Sequence, residues 1–298
     1  MQEPLAELEG VTKRFGRVPA LSELSLRIEP GVSYGLIGRN GAGKTTALRL
    51  LMGLLRPDEG KVKLFGGDPI ADAERVKLHV GYLAEDQAFP PRLRPLDLVG
   101  FFAGCYPSWD HEFAASLVAR FKIPLKRRLS TLSKGQQRQV GLLCAVAHRP
   151  RLLILDEPGG GLDPVVRRGF LEEVIDLLGS EQTSVLFSSH HLGEVERIAT
   201  RIGILHRGGL LIEEDMDRLR ERSCQVLARL NGADVAAPRL GLPGCVQAKP
   251  KGEAWLLTFL TDGRAACERV GSLPGGEVIE ARAVSLEDLF VAMVGEGG

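Results

Sequence analysis

The sequence predicts an α/β fold built on a mainly parallel sheet, and three observations carry that prediction. Short apolar runs at His79–Leu83, Leu152–Leu155, Ser184–Ser188 and Ile202–Leu205 read as strands buried on both faces, with helical patterns between them. A G-x-x-x-x-G-K-[ST] string, Gly38–Thr45, follows another apolar run, Val32–Ile37, and opens a helical stretch, Thr45–Leu55. Two acids, Asp156 and Glu157, close the run Leu152–Leu155, at the strand end where ligands of open α/β sheets gather. Strands alternating with helices imply a sheet covered by helices on both faces.

Taken in order, the first thirty-odd residues alternate as half-buried strands do. Leu24, Leu26 and Ile28 fall on one face and Ser25, Arg27 and Glu29 on the other, which predicts an antiparallel β element. After the helix ending near Arg56-Pro57-Asp58, the segment of about 88–150 reads as helical and irregular, punctuated by Pro95, Pro107 and Pro124, and predicts a helical subdomain. Beyond His206-Arg207-Gly208-Gly209, a polar stretch, Glu213–Arg222, reads as helix. The texture then changes, with Gly and Pro clustered in Gly241–Gly244 and a strand-like run, Trp255–Leu260. These features place a boundary near residue 215, dividing a large domain, 1–214, from a small C-terminal α+β domain, 215–298.

Composition narrows the function classes. Lys plus Arg and Asp plus Glu number 38 each, so no excess positive field recommends nucleic acid as a partner. A local basic run, Lys122 with Lys126, Arg127 and Arg128, is the ordinary dress of a solvated helix end or loop. The 5 cysteines are widely spaced, without a Cys-x-x-Cys pair, and indicate neither a zinc site nor a disulfide framework. The N-terminus lacks a basic segment followed by an apolar core, and no stretch approaches the roughly 18–20 apolar residues of a membrane span. A cytoplasmic location is expected, with any membrane span supplied by another polypeptide.

The Gly38–Thr45 string carries the chemistry of phosphate binding. Its glycines let the backbone approach a phosphate, successive amides form an anion nest, and the helix N-terminus adds a favourable dipole. Lys44 is placed to reach the β and γ phosphates and the Thr45 hydroxyl to ligate Mg²⁺. Asp156 is placed to hold Mg²⁺ through its water shell, and Glu157 to orient and deprotonate an attacking water. A second apolar strand ends in Ser188-Ser189-His190-His191, where an imidazole could hydrogen-bond the γ-phosphate. Alone, a strand-terminal histidine is more often structural.

Leu132-Ser133-Lys134-Gly135-Gln136 resembles the signature that separates ABC ATPases from other phosphate-loop proteins. With the phosphate loop, the Asp156-Glu157 strand end, Gly160-Gly161-Leu162-Asp163 and His190 in the same order, the resemblance covers residues 5–213. It implies a phosphate-loop NTPase core of ABC type with an antiparallel β subdomain and a helical subdomain, binding ATP and Mg²⁺. It selects His190 over His191, because the family histidine directly follows two small residues. By the same resemblance Phe15 stacks on adenine, while Gly38, Asn40, Gly41, Ala42, Gly43, Lys44, Thr45 and Thr46 hold the phosphates. Two such domains pair head to tail in this family, so Ser133 and Gly135, with Gln136 and Asp163, are expected to contact the nucleotide on a partner's loop. Ser133 should also cap the long helix that follows it.

Three positions depart from the family pattern. Glu85, after Gly81-Tyr82-Leu83-Ala84, stands where a glutamine is usual, with Gln87 two residues on; either is a candidate for the metal-contacting and membrane-coupling residue. Lys134 replaces a common glycine, and Gly159 and Gly160 replace Thr and Ser, which should loosen the loop after Pro158. Tyr106-Pro107-Ser108-Trp109-Asp110, Gly161–Arg168, Ser188-Ser189-His190 and, in the C-terminal extension, Ser285–Phe290 resemble bacterial ATPases of drug-export and cell-envelope-stress systems, and so favour an exporter. The resemblance implies a separate integral membrane permease as partner, a second, identical ATPase subunit on ATP binding, and a peripheral position on the cytoplasmic face of the membrane. The alternative is a soluble ABC ATPase acting on ribosomes or DNA.

Overall fold

The structure is a computed structural model that describes residues 3–180, 183–230 and 242–295. The strands are β1 (Ala6–Phe15), β2 (Val18–Ile28), β3 (Ser33–Ile37), β4 (Glu59–Leu64), β5 (Val80–Leu83), β6 (Leu152–Asp156), β7 (Ser184–Ser189), β8 (Arg201–His206), β9 (Gly209–Asp215), β10 (Cys224–Leu230), β11 (Cys245–Lys251), β12 (Ala254–Phe259) and β13 (Gly276–Ala283). The helices are α1 (Lys44–Leu51), α2 (Ala73–Lys77), α3 (Pro95–Cys105), α4 (His111–Arg120), α5 (Lys134–Val146), α6 (Pro164–Ser180), α7 (Leu192–Ile198), α8 (Met216–Glu221), α9 (Gly263–Gly271) and α10 (Leu286–Val294).

The six-stranded sheet runs β5-β6-β7-β3-β8-β9. Strands β5, β6, β7 and β3 pair in parallel, with Leu152 opposite Val80 and Ser184, and Ser33 opposite Val185. Every residue of β6 and β7 is buried: the apolar runs Leu152–Leu155 and Val185–Phe187 are those of strands covered on both faces, and Asp156, Ser184, Ser188 and Ser189 are buried with them. A second sheet, β2-β1-β4, is antiparallel, and Leu24, Leu26 and Ile28 enter its core while Ser25 and Arg27 stay exposed. The large core joins this sheet to α1 and the parallel strands through Leu8, Leu26, Ile28, Leu36, Leu48 and Ile154.

Two element limits differ from the sequence expectation. Helix α1 stops at Leu51, not Leu55, because Gly53 turns to φ +64, where a Cβ would come within 2.4 Å of the Pro69 carbonyl oxygen. Glu213–Asp215 belong to strand β9, and only Met216–Glu221 are helical. The two-residue turn between β8 and β9 returns the chain along β8, where Arg201 and Glu213 pair across the strands at 3.3 Å, so pairing outweighs the helical propensity of the acidic residues. Of the Gly/Pro cluster at 241–244, Gly241 lies outside the described residues.

Helices α3, α4 and α5 fill the stretch between β5 and β6. Ser133 caps α5 with a reciprocal pair of bonds: Gln136 N donates to Ser133 Oγ at 3.2 Å, and Ser133 N donates to Gln136 Oε1 at 3.1 Å. The Tyr106–Asp110 loop anchors this helical segment, because Tyr106 stacks on His148 at 3.9 Å and Ser108 Oγ donates to the His148 carbonyl at 2.9 Å.

The chain divides into two compact units, residues 1–199 with 205–210, and 200–204 with 211–298. The second contains an antiparallel sheet, β11-β12-β10-β13, with its own core of Val226, Ala228, Leu257, Phe259, Ala266 and Val270. Helix α9 packs on β10 and β13, giving this unit an α+β construction.

Candidate nucleotide site

The phosphate loop joins the end of β3 to α1, and its conformation depends on Gly43. That residue adopts φ +110, and a Cβ there would lie 2.5 Å from the Ala20 carbonyl oxygen. No side chain caps α1, which leaves its first amides free for an anion. The loop forms one wall of a cleft of about 360 Å³ lined by Phe15, Ala20, residues 40–46, Glu85, Glu157 and His190.

Within it, Lys44 Nζ donates to the Gly38 carbonyl at 2.8 Å and pairs with Glu157 Oε1 at 3.0 Å, both side chains being buried. The other carboxylate oxygen, Oε2, accepts from His190 Nδ1 at 2.8 Å. A carboxylate only accepts, so Nδ1 carries the proton in this contact. Thr45 Oγ1 donates to Asp156 Oδ1 at 3.1 Å and Ser188 Oγ donates to the same oxygen at 2.7 Å. Burial pushes the Asp156 carboxyl above its usual range, against the pull of the bonds from Ser188 and Thr45. Glu85 is raised as well, first by burial and then by the negative charges of Asp156, Glu157 and Asp86.

Phe15 keeps 52% of its surface exposed at the rim of the cleft, with Lys13 Nζ over its ring 5.9 Å from the centroid. Gln87, the alternative to Glu85, turns its Oε1 back to accept from Ala84 N at 3.3 Å and is not part of this lining. Ser133, Gly135, Gln136 and Asp163 do not line the cleft either. Asp163 Oδ1 accepts from Val165 N and Val166 N and so starts α6. His191 faces Arg167, with Nε2 3.0 Å from Nη1, and its pKa is lowered by burial and then by the neighbouring His190 and Arg167.

Three groups had no role in the sequence reading. Arg138, buried on α5, donates to the Ala84 carbonyl and, at 3.2 Å, to the Glu157 carbonyl. Arg167 donates to the carbonyls of Gly159 and Leu162 at 3.1 and 3.2 Å, so the loop expected to be loose is tied at both ends. Ser188 bonds the Asp156 carboxylate at the end of β6 and the backbone amide of Glu157 that follows it. The only local signals were a charge on an otherwise inward helix face and a hydroxyl inside an apolar strand.

The donor set near the loop fits Mg²⁺: Thr45 and Asp156 offer hard oxygens, the type this ion prefers, and Mg²⁺ normally completes its shell with waters and substrate phosphates.

The sequence model described as "ABC transporter" matches residues 21–160. A second, described as "AAA domain, putative AbiEii toxin, Type IV TA system", matches 125–196, which contains the two acids and His190 but not the phosphate loop. The ABC transporter ATP-binding protein YtrB of Bacillus subtilis (strain 168) is 35% identical over 222 residues, 74% of this chain and 76% of the relative. The chain belongs to the family of ABC transporter ATP-binding proteins. Nod factor export ATP-binding protein I of Rhizobium sp. (strain N33) is a member 31% identical over 303 residues, covering 99% of this chain and 98% of its own. A solved "Structure of ATP binding subunit of ABC transporter" superposes with a TM-score of 0.64 at 28% identity, covering 72% of this chain and 92% of that one. The chain is thus an ABC ATPase subunit, and no helix among its described residues is long and apolar enough to cross a membrane.

Proposed function

We propose that this ABC ATPase binds Mg-ATP between its own phosphate loop and the signature segment of a second copy, and couples hydrolysis to export by a separate membrane permease. The observation that carries this reading is the meeting of Phe15, Lys44, Glu157 and His190 around one cleft, while Ser133, Gly135 and Gln136 stand outside its lining. A chain with one loop and one signature then needs a second copy to close the site.

In this reading Phe15 stacks on adenine, and residues 38–46 with Lys44 balance the charge of the phosphates. Thr45, Asp156 and Glu85 hold Mg²⁺, which supplies charge neutralisation at the phosphates. Glu157 accepts the proton of the attacking water through Oε1, which keeps a second lone-pair direction beside its bond to Lys44, while Oε2 accepts from both Nδ1 and the backbone amide of His190. A phosphate in the loop competes with Glu157 for the Lys44 ammonium, so substrate entry frees one oxygen of the base. His190 holds the other and contacts the γ-phosphate. Export is supported by the full-length likeness to a Nod factor export protein. In this reading the chain works against that permease at the cytoplasmic face of the membrane. Residues 1–214 form the ATPase domain and 215–298 an accessory one, a division that falls as β9 ends.

The decisive variant is Glu157→Gln, which keeps the shape of the side chain but cannot take the proton. It should bind Mg-ATP and lose roughly 10²–10⁴-fold in turnover. Turnover equal to the parent would remove Glu157 from the role of base. Copurification of the full chain with a membrane protein, rather than with ribosomes or DNA, tests the partner.

A further inference from the structure

Ser188 is fully buried on β7, directly opposite Asp156 in the parallel register. Its Oγ donates to Asp156 Oδ1 at 2.7 Å and accepts from the Glu157 amide at 2.9 Å. A hydroxyl has one hydrogen and two lone pairs, so this one atom serves an acceptor on one side and a donor on the other. The apolar residues that otherwise fill buried strands would serve neither.

What the hydroxyl holds is an unusual conformation. Glu157 lies at φ +44, in the left-handed region that a non-glycine residue keeps only where its surroundings impose it. The residue is gripped on both sides: Ser188 takes its amide, and its carbonyl accepts from Gly160 N at 2.8 Å and Arg138 Nη2 at 3.2 Å. With the backbone fixed, the carboxylate spans Lys44 and His190.

We propose that Ser188 is a positioning residue for ATP hydrolysis, holding Glu157 in its left-handed conformation while fixing Asp156 through Oδ1. The inference rests on Glu157 being the base. A displacement of about 1 Å in a catalytic group can cost on the order of 10²-fold in rate. Loss of the hydroxyl should therefore appear in kcat while nucleotide binding at the loop, which Ser188 does not touch, is preserved.

The test uses the full chain with Ser188→Ala and the equal-volume pair Ser188→Thr and Ser188→Val, beside Glu157→Gln. Binding-competent protein is counted by titration with a fluorescent ATP analogue without divalent ion, and turnover is normalised to that count. The expected result is a kcat lowered roughly 10- to 100-fold in Ser188→Ala with KM changed less than about threefold, and Ser188→Thr at least about tenfold faster than Ser188→Val. If Ser188→Ala loses turnover only in proportion to binding-competent protein, or if Thr and Val are equal, Ser188 has only a structural part and the proposal fails. Parent-like kcat in Ser188→Ala beside an inactive Glu157→Gln overturns the proposal and leaves the base assignment standing. A fully active Glu157→Gln overturns the base assignment itself.

Discussion

Lys44 is held where a phosphate would be met: its ammonium lies 2.8 Å from the Gly38 carbonyl and 3.0 Å from Glu157. Lys44→Ala should weaken productive ATP binding at least about tenfold, because anionic oxygens in a partly dry site lose a charge-assisted bond. It also leaves buried Glu157 with His190 alone. An ATPase assay with nucleotide titration checks this, and unchanged turnover would mean the loop is misassigned. At Glu85 the carboxylate lines the cleft and is raised by burial and by Asp156 and Glu157, which places it in one acidic neighbourhood with the proposed metal site. Glu85→Gln should keep activity but need several-fold more Mg²⁺, since hard cations favour anionic oxygen. A Mg²⁺ titration of the isolated protein that overlays the parent curve would assign Glu85 to coupling or to the surface. The strings around Lys44, Asp156 and His190 were legible because each sits in one short segment. Ser188 and Arg138 were not, since their bonds to Glu157 cross from another strand and another helix, and no local spacing encodes them.

At the scale of elements, the buried strands were legible because both faces of β6 and β7 are covered and their central residues, Leu152–Leu155 and Val185–Phe187, are apolar. The limits of α1 and β9 were less so, being set by Gly53 against Pro69 and by pairing along β8. The Tyr106–Asp110 loop gained its meaning only in three dimensions, through its stack on His148. That histidine is 1% exposed, and its Nε2 lies 3.2 Å from the Val80 carbonyl, so Nε2 carries the hydrogen and Nδ1 is left as a buried acceptor. Burial depresses its pKa from 6.5 to about 4, because a second proton would need solvation the site lacks. A depressed pKa means that the unfolded chain binds the proton first. The contribution of His148 to stability is therefore full above 6.5 and is lost progressively as the pH falls to about 4. Denaturant midpoints across that window should fall more steeply for the parent than for His148→Phe, which keeps a ring against Tyr106 but cannot titrate. Parallel curves would show that other groups govern the acid limit.

At the scale of the whole chain, the resemblance carried by the sequence covered the ATPase core, whose motifs recur in fixed order. The C-terminal segment carries none of the nucleotide motifs and was marked only by its change of texture and the string Ser285–Phe290; its antiparallel sheet and separate core follow from long-range pairing. Every residue lining the cleft precedes residue 215, and β9 ends there. A chain truncated after 215 should accordingly bind ATP with an affinity within about threefold of the parent, since changes without shared contacts are close to additive. A folded truncated protein unable to bind would contradict that independence. The central claim is that one chain holds only half of an ATP site and a second copy completes it. Light scattering on Glu157→Gln tests it most directly: the account predicts the mass of a single 32.3 kDa chain without nucleotide and twice that mass with Mg-ATP. A single-chain mass with ATP bound at full occupancy would contradict it.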